Sequence, residues 1–364
     1  MNRIRAIVVP AAVFQSVIVG GAYGTGREVV EFISSYGTLG GLLAIATAGL
    51  SFGVVLAASF EFARVFAAWD YRHFLRALLG RAWIAYELMF AVLLIIILAV
   101  TGAAAGKVLT DALAVPSAVG IAILFVCVVI LNFFGRSIVE RTLGAGAIVL
   151  LTGLLAYSTA IFFDENTALW QHVNAGSVAA GWWLSGTKFA VYNSALIPVL
   201  LYSARELPDR ASALWAGALA AVFGVLPATL FHLTFVAGGP QLLDEALPTY
   251  AMIERFMPAA APLYVIILFA TIVQTGVGVL QGLNERLDGW YLEHRARTLS
   301  PAFHALVAGF VLVCSLVLSH LGLVALVARG YGGLAWGFFF VFTLPLLTAG
   351  LHKIARHEAQ RTAS

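Results

Sequence analysis

Ten stretches of this chain are mostly apolar and long enough to cross a bilayer as helices, and no polar stretch between them exceeds about twenty residues. They fall at roughly 6–35, 37–67, 83–106, 117–134 and 141–163, then at 183–204, 212–237, 261–283, 301–320 and 333–352, with a short apolar piece at 321–327 that reads as a stub or as part of the ninth helix. A chain patterned in this way has little choice but to fold as an all-α integral membrane protein. Composition agrees: 61% of the 364 residues are hydrophobic and 11% are charged, against about 25% charged in soluble domains. The net charge of +3 is too small and too scattered for a nucleic-acid partner. Cys127 and Cys314 lie inside apolar runs, where no disulfide framework is expected. The first run follows Arg3 and Arg5 without a small-residue cleavage site, so it is expected to stay as the first membrane helix.

Ten crossings put both termini on one side. With this count, 16 of the 21 basic residues fall on the terminal side and four (Arg27, Lys107, Arg255 and Arg329) on the other, with Lys188 inside a helix. Cytoplasmic loops retain Lys and Arg, so both termini are expected in the cytoplasm. Glu61 near Arg64, and Glu87 near Arg81 and Tyr86, read as interfacial residues on that side.

Two of the ten runs carry breaking signals. The first contains Gly20, Gly21, Gly24 and Gly26, each costing about 1 kcal/mol relative to Ala in a helix. Spaced as Gly20/Gly24 or Gly21/Thr25, such residues also suit close helix packing. The charges that follow at once, Arg27, Glu28 and Glu31, favour an unwound stretch instead. The sixth run contains Tyr192, Asn193, Ser194 and Pro198. Pro198 cannot donate to the Ser194 carbonyl, and the Asn and Ser side chains compete for backbone bonds. A break near 192–196, or a plain proline kink, follows. Each interrupted helix opens a block of five, and a block with an odd number of crossings must repeat upside down. Broken helices in matching places point to an inverted-repeat transporter with its site at the membrane midplane. The expected units are a first repeat at 1–165, an inverted second repeat at 180–355 and a cytoplasmic tail at 356–364.

Gly20-Gly21-Ala22-Tyr23-Gly24-Thr25-Gly26-Arg27-Glu28, followed by Phe32 and Gly37, resembles the first-helix signature of the YkvI-like bacterial membrane proteins. That family is grouped with the amino acid-polyamine-organocation superfamily, whose five-plus-five inverted repeat is the LeuT-type fold. Tyr23 stands where the family pattern has Phe. The resemblance implies a bacterial cytoplasmic (inner) membrane protein with a transporter fold, and it names no substrate.

In such a fold the substrate lies between the two breaks. Amides around Gly24, Thr25 and Gly26, at the positive end of a helix, would suit a carboxylate. Carbonyls of Gly20 and Gly21 would suit a cation or ammonium, and Phe189, Tyr192, Asn193 and Ser194 would complete the pocket by analogy. Ionisable residues inside a membrane are costly and default to functional candidates. Lys188 is expected either to pair with Glu28 or Glu31 as a gate or proton-linked switch, or to snorkel toward the interface near Trp182 and Trp183. Thr271, Gln274 and Thr275 sit where sodium-coupled relatives hold their ion, but the adjacent hydroxyl pair of those relatives is absent. The lysine that sodium-independent relatives carry on the fifth helix is absent too. The coupling ion stays open between Na+ and H+.

No HExxH, CxxC or phosphate-binding loop is present, so neither enzymatic chemistry nor a cofactor is expected. His172, His232, His304, His320 and His352 are dispersed and suggest no metal cluster, and His232 reads as a packed histidine. The leading function is secondary transport of an amino acid or related amine by alternating access. The alternative is a non-transporting sensor or scaffold on a degenerate transporter fold. Lipid-facing helices leave room for a homodimer.

Overall fold

The computed structural model describes residues 3–20, 23–134, 149, 151–164, 167, 169–295 and 299–363. Gly21, most of the first half of the fifth run, and Arg136, Arg141 and Arg297 lie outside the described residues. All regular structure among the described residues is helical. In chain order the helices are α1 (Arg3–Ile18), α2 (Arg27–Phe32), α3 (Thr38–Val65), α4 (Tyr71–Leu79), α5 (Trp83–Leu113), α6 (Ser117–Phe134), α7 (Leu151–Phe162) and α8 (Leu169–Ala175). They continue as α9 (Trp182–Ser194), α10 (Ile197–Leu200), α11 (Arg210–Gly238), α12 (Pro248–Phe256), α13 (Ala261–Arg295) and α14 (Pro301–Ser319). The chain closes with α15 (Leu323–Ala325), α16 (Gly332–Phe338) and α17 (Leu351–Ala363), joined by wider π-type turns at Leu326–Tyr331, Phe339–Thr343 and Leu346–Gly350.

Among the described residues, six stretches are long and apolar enough to cross a bilayer: Thr38–Val65, Tyr71–Leu113, Arg210–Gly238, Pro258–Gly289, Ala302–Ser319 and Leu323–Gln360. α6 and α7 are shorter apolar helices at the fourth and fifth expected runs. The first and sixth runs are each divided in two, so neither half reaches spanning length alone. One boundary is corrected. The stub at 321–327 and the run at 333–352 form one helical stretch, because the Leu326–Tyr331 π turns carry the chain between them. Arg329, expected in a loop, lies inside that stretch, and residues 356–363 of the expected tail continue α17.

Caps fix the helix starts. The Asp70 carboxylate accepts from the Arg72 and His73 amides at 3.0 and 3.2 Å, and Asp209 accepts from the Ser212 amide at 2.7 Å. Arg3 reaches Asp209 at 3.1 Å and Arg210 reaches Glu358 at 3.3 Å. Lys353 Nζ donates to the Ala77 and Leu78 carbonyls at 2.7 and 3.0 Å. Both chain ends, α4 and the α10–α11 junction therefore share one face, the terminal face.

In the interior, α3 packs against α9 and α11, α1 against α11, and α5 against α6, α13 and α14. Lipid supplies no hydrophobic push between helices, so close backbone approach must hold them. Gly217 shows this: a Cβ there would sit 2.5 Å from the Ala57 amide nitrogen on α3.

Candidate functional site

Beyond α1 the chain leaves helical register. The Gly20 amide donates to the Ile18 carbonyl at 3.0 Å, and the Tyr23 amide to the Gly20 carbonyl at 3.1 Å. A single 3-10 turn, Tyr23–Thr25, leads to Gly26, whose φ of +80° is left-handed. α2 then restarts. The first interruption is a true unwinding, as the glycines and following charges imply.

The second is milder. The Ala195 and Leu196 amides donate to the Tyr192 and Asn193 carbonyls at 3.3 and 3.1 Å, three residues back, and Val199 donates to Leu196 at 3.2 Å. That tightening, together with Pro198, releases the Ala195 carbonyl from the ladder. The buried Tyr86 hydroxyl of α5 donates to it. The backbone at 195 and 196 stays right-handed, so this break is a two-residue kink.

A cavity of about 70 Å³ lies between the two breaks. Gly20 and Tyr23 line it from the first; Tyr192, Asn193 and Leu196 from the second; Glu28 from α2; Leu93 and Ile97 from α5; Thr275 from α13; and Tyr331 from the first π segment. Glu28 is only 6% exposed, and its carboxylate accepts a hydrogen bond from the Tyr192 hydroxyl. The Tyr192 and Tyr331 rings stack at 4.8 Å with 9° between planes. The buried Tyr23 hydroxyl has no hydrogen-bond partner among the described residues.

Several sequence expectations change here. Lys188 pairs with neither glutamate: its ammonium stands 5.7 Å from the Trp336 ring centroid. Glu31 is held instead by Arg27, 2.9 Å away and one turn back on the same helix. The Arg27 guanidinium also donates to the Leu243 and Glu245 carbonyls at 2.8 and 3.1 Å. Gly24, Thr25 and Gly26, expected to seat a carboxylate, do not line this cavity. The Gly26 amide is bonded to the Tyr23 carbonyl at 3.0 Å, the Arg27 amide to Thr25 Oγ1 at 3.2 Å, and α2 is only six residues long.

Gly24 lines a second, apolar cavity of about 270 Å³ with α7, α12 and α13, and its carbonyl accepts from the Tyr264 hydroxyl at 2.9 Å. Tyr23 borders the first cavity and Phe231 the second, ring centroids 5.8 Å apart. Phe189 packs among the rings of Tyr23, Phe32, Phe52 and Tyr192 rather than on the cavity. Ser194 spends its hydroxyl on the Ala190 carbonyl at 2.7 Å. The Gly20 carbonyl is engaged by Tyr23, and Gly21 lies outside the described residues.

On α13, the Thr271 and Thr275 hydroxyls donate to carbonyls of their own helix, Leu268 and Thr271, at 2.8 and 3.0 Å. Of that trio, Thr275 alone borders the cavity; Gln274 is half-buried and off the lining. His232 is a packed histidine, with its ring nitrogens 2.9 Å from Ser34 Oγ and the Thr38 carbonyl. Glu61 is gripped by Arg64 through two contacts of 2.8 and 2.7 Å. Glu87 pairs with Arg286 of α13 at 2.9 and 3.1 Å, not with Arg81. Sequence reasoning missed that pair, along with Tyr331, Leu93 and Ile97.

The class these features define is a multi-pass helical membrane protein whose first and sixth spans are interrupted around a shared cavity. Its fold is similar to that of a Na+-coupled sialic acid symporter in a substrate-bound outward-open state, at 13% identity over 95% of this chain and 86% of that one, with a TM-score of 0.52. That likeness shows the fold alone, the LeuT type. Fainter likenesses reach Mhp1 in an inward-facing conformation (13% identity, 93% and 72% covered, TM-score 0.46) and a manganese transporter from Eremococcus coleocola (13%, 97% and 95%, TM-score 0.40). No family model and no curated protein sequence matches the chain.

Proposed function

We propose that this protein is a secondary transporter in a bacterial cytoplasmic membrane, with both termini cytoplasmic, moving a small amine or amino acid by alternating access. The orientation rests on the excess of basic residues in the terminal-side loops, and kinship with the YkvI-like proteins belongs to the same reading. The observation that carries it is Glu28. A buried carboxylate with a single phenol donor, on a cavity between two broken helices, is the natural counter-charge for an ammonium. The stacked Tyr192 and Tyr331 rings add aromatic faces suited to a cation. A cargo carboxylate has no comparable partner, because no Lys or Arg side chain lines that cavity.

A thermal-stability screen of the purified protein in detergent tests this. Amines, amino acids and small carboxylates without an amino group are each added in sodium and in potassium buffer. A ligand that binds only the folded state, at 100 times its Kd, adds about 2.7 kcal/mol. Amino-bearing compounds are expected to raise the unfolding temperature and simple carboxylates to leave it unchanged. Stabilisation by carboxylates alone, or by no member of the panel, would contradict the proposal.

A further inference from the structure

We infer that proton and cargo compete for Glu28, so that the protein exchanges one organic ammonium for one proton. This rests on the transporter reading and adds its coupling ion. Among the described residues, the charged and titratable groups on the elements around Glu28 can be named. From α9 comes the phenol Tyr192, from the 3-10 turn Tyr23 and from the π segment Tyr331, while Arg329 of that segment is exposed and lines a different cavity. On its own helix, Arg27 and Glu31 hold each other. On α11, His232 is turned to Ser34 and Thr38. α13 presents the Thr275 hydroxyl, and α5 presents Leu93 and Ile97. No cation lies within ion-pair distance of Glu28 among the described residues, and Lys188 is committed to the Trp336 ring.

An ionised carboxylate buried without a counter-charge neutralises by taking a proton. Glu28 in the empty cavity is therefore the acid, with Tyr192 donating to one carboxyl oxygen and the proton on the other. When an ammonium enters, the Glu28 O–H bond breaks and the proton leaves to the water from which the cargo came. The carboxylate then pairs with the ammonium and keeps the Tyr192 hydrogen bond. The unpartnered Tyr23 hydroxyl accepts a further N–H of the cargo. After the cavity opens to the other side, the ammonium departs and Glu28 takes a proton from that side. One positive charge moves in each direction, so the cycle is electroneutral.

The first test needs no variant. Ethanolamine, in mildly acid and weakly buffered detergent solution, is titrated into the protein while proton release is followed. Close to one proton released per ethanolammonium bound is expected, with affinity falling about tenfold for each pH unit below the range in which Glu28 titrates. In proteoliposomes holding a pH dye, external ethanolamine should raise luminal pH beyond a protein-free control. The rise should be the same with sodium or potassium and absent in Glu28→Gln. Binding without proton release, or uptake that needs sodium and leaves luminal pH unchanged, overturns the exchange while the transporter reading stands. Failure of ethanolamine and of the whole amine panel to bind or move overturns both.

Discussion

Tyr192 and Glu28 come from the two broken helices and meet in one hydrogen bond, so a change at either is felt at both. Tyr192→Phe keeps the ring stack on Tyr331 and removes the donor to Glu28. Leaving a buried polar group unmatched costs about 1–3 kcal/mol, so the empty protein should unfold at a lower temperature. An unchanged transition would mean that the hydroxyl does nothing for Glu28. Gly26→Ala is expected to be worse tolerated, since a Cβ at φ +80° would lie 2.6 Å from Thr249 Oγ1. Left-handed strain alone costs about 1–2 kcal/mol. The sequence marks Gly20, Tyr23, Tyr192 and Asn193 because glycines and a proline betray unwound backbone. It does not say which side chains in a break point inward: Phe189 packs into a ring cluster with Phe32 and Phe52, and Ser194 bonds to its own helix. Arg27 and Glu31 had the i,i+4 spacing of a pair, but spacing alone could not rank that pair above a Lys188 contact from another helix.

Among the elements, α4, α5 and α13 are joined at one point. The Arg286 guanidinium pairs with Glu87 and lies 3.8 Å from the Phe90 ring centroid and 4.2 Å from that of Tyr71. Arg72 donates to the Arg286 carbonyl at 2.5 Å. Removing one partner of a buried pair typically costs about 3–5 kcal/mol, and with Glu87 partly exposed the loss in Arg286→Ala should sit at the low end. A denaturation midpoint equal to wild type would show that the cluster is incidental. At the α11 start, hydrogen bonds from Ser212 hold the Asp209 carboxyl below its ordinary value. The cap's contribution is therefore complete above that ordinary value and is lost as pH falls through the lower folded one. Acidification through that window should loosen α11 at the terminal face, which hydrogen exchange of the Ser212 and Ala213 amides would report. None of the tertiary pairs was legible, because Glu87 and Arg286 are 199 positions apart. The local caps were readable in principle, Asp before a polar-to-apolar transition being an ordinary helix start.

For the molecule as a whole, apolar run length made the spans legible, and the glycine and Pro198 signals placed both interruptions. Where length and hydrophobicity were ambiguous, the reading slipped. A π-type path joins 321–327 to 333–352, and with it Tyr331 moves from a loop to the cavity wall. The most direct measurement is equilibrium binding of a stabilising amine to wild type and to Glu28→Gln, each first checked for a cooperative unfolding transition. Loss of the buried counter-charge should cost at least about 2 kcal/mol, a rise in Kd of roughly 30-fold or more. Equal affinities in two folded proteins would place the amine elsewhere and contradict the cavity between the breaks as its site.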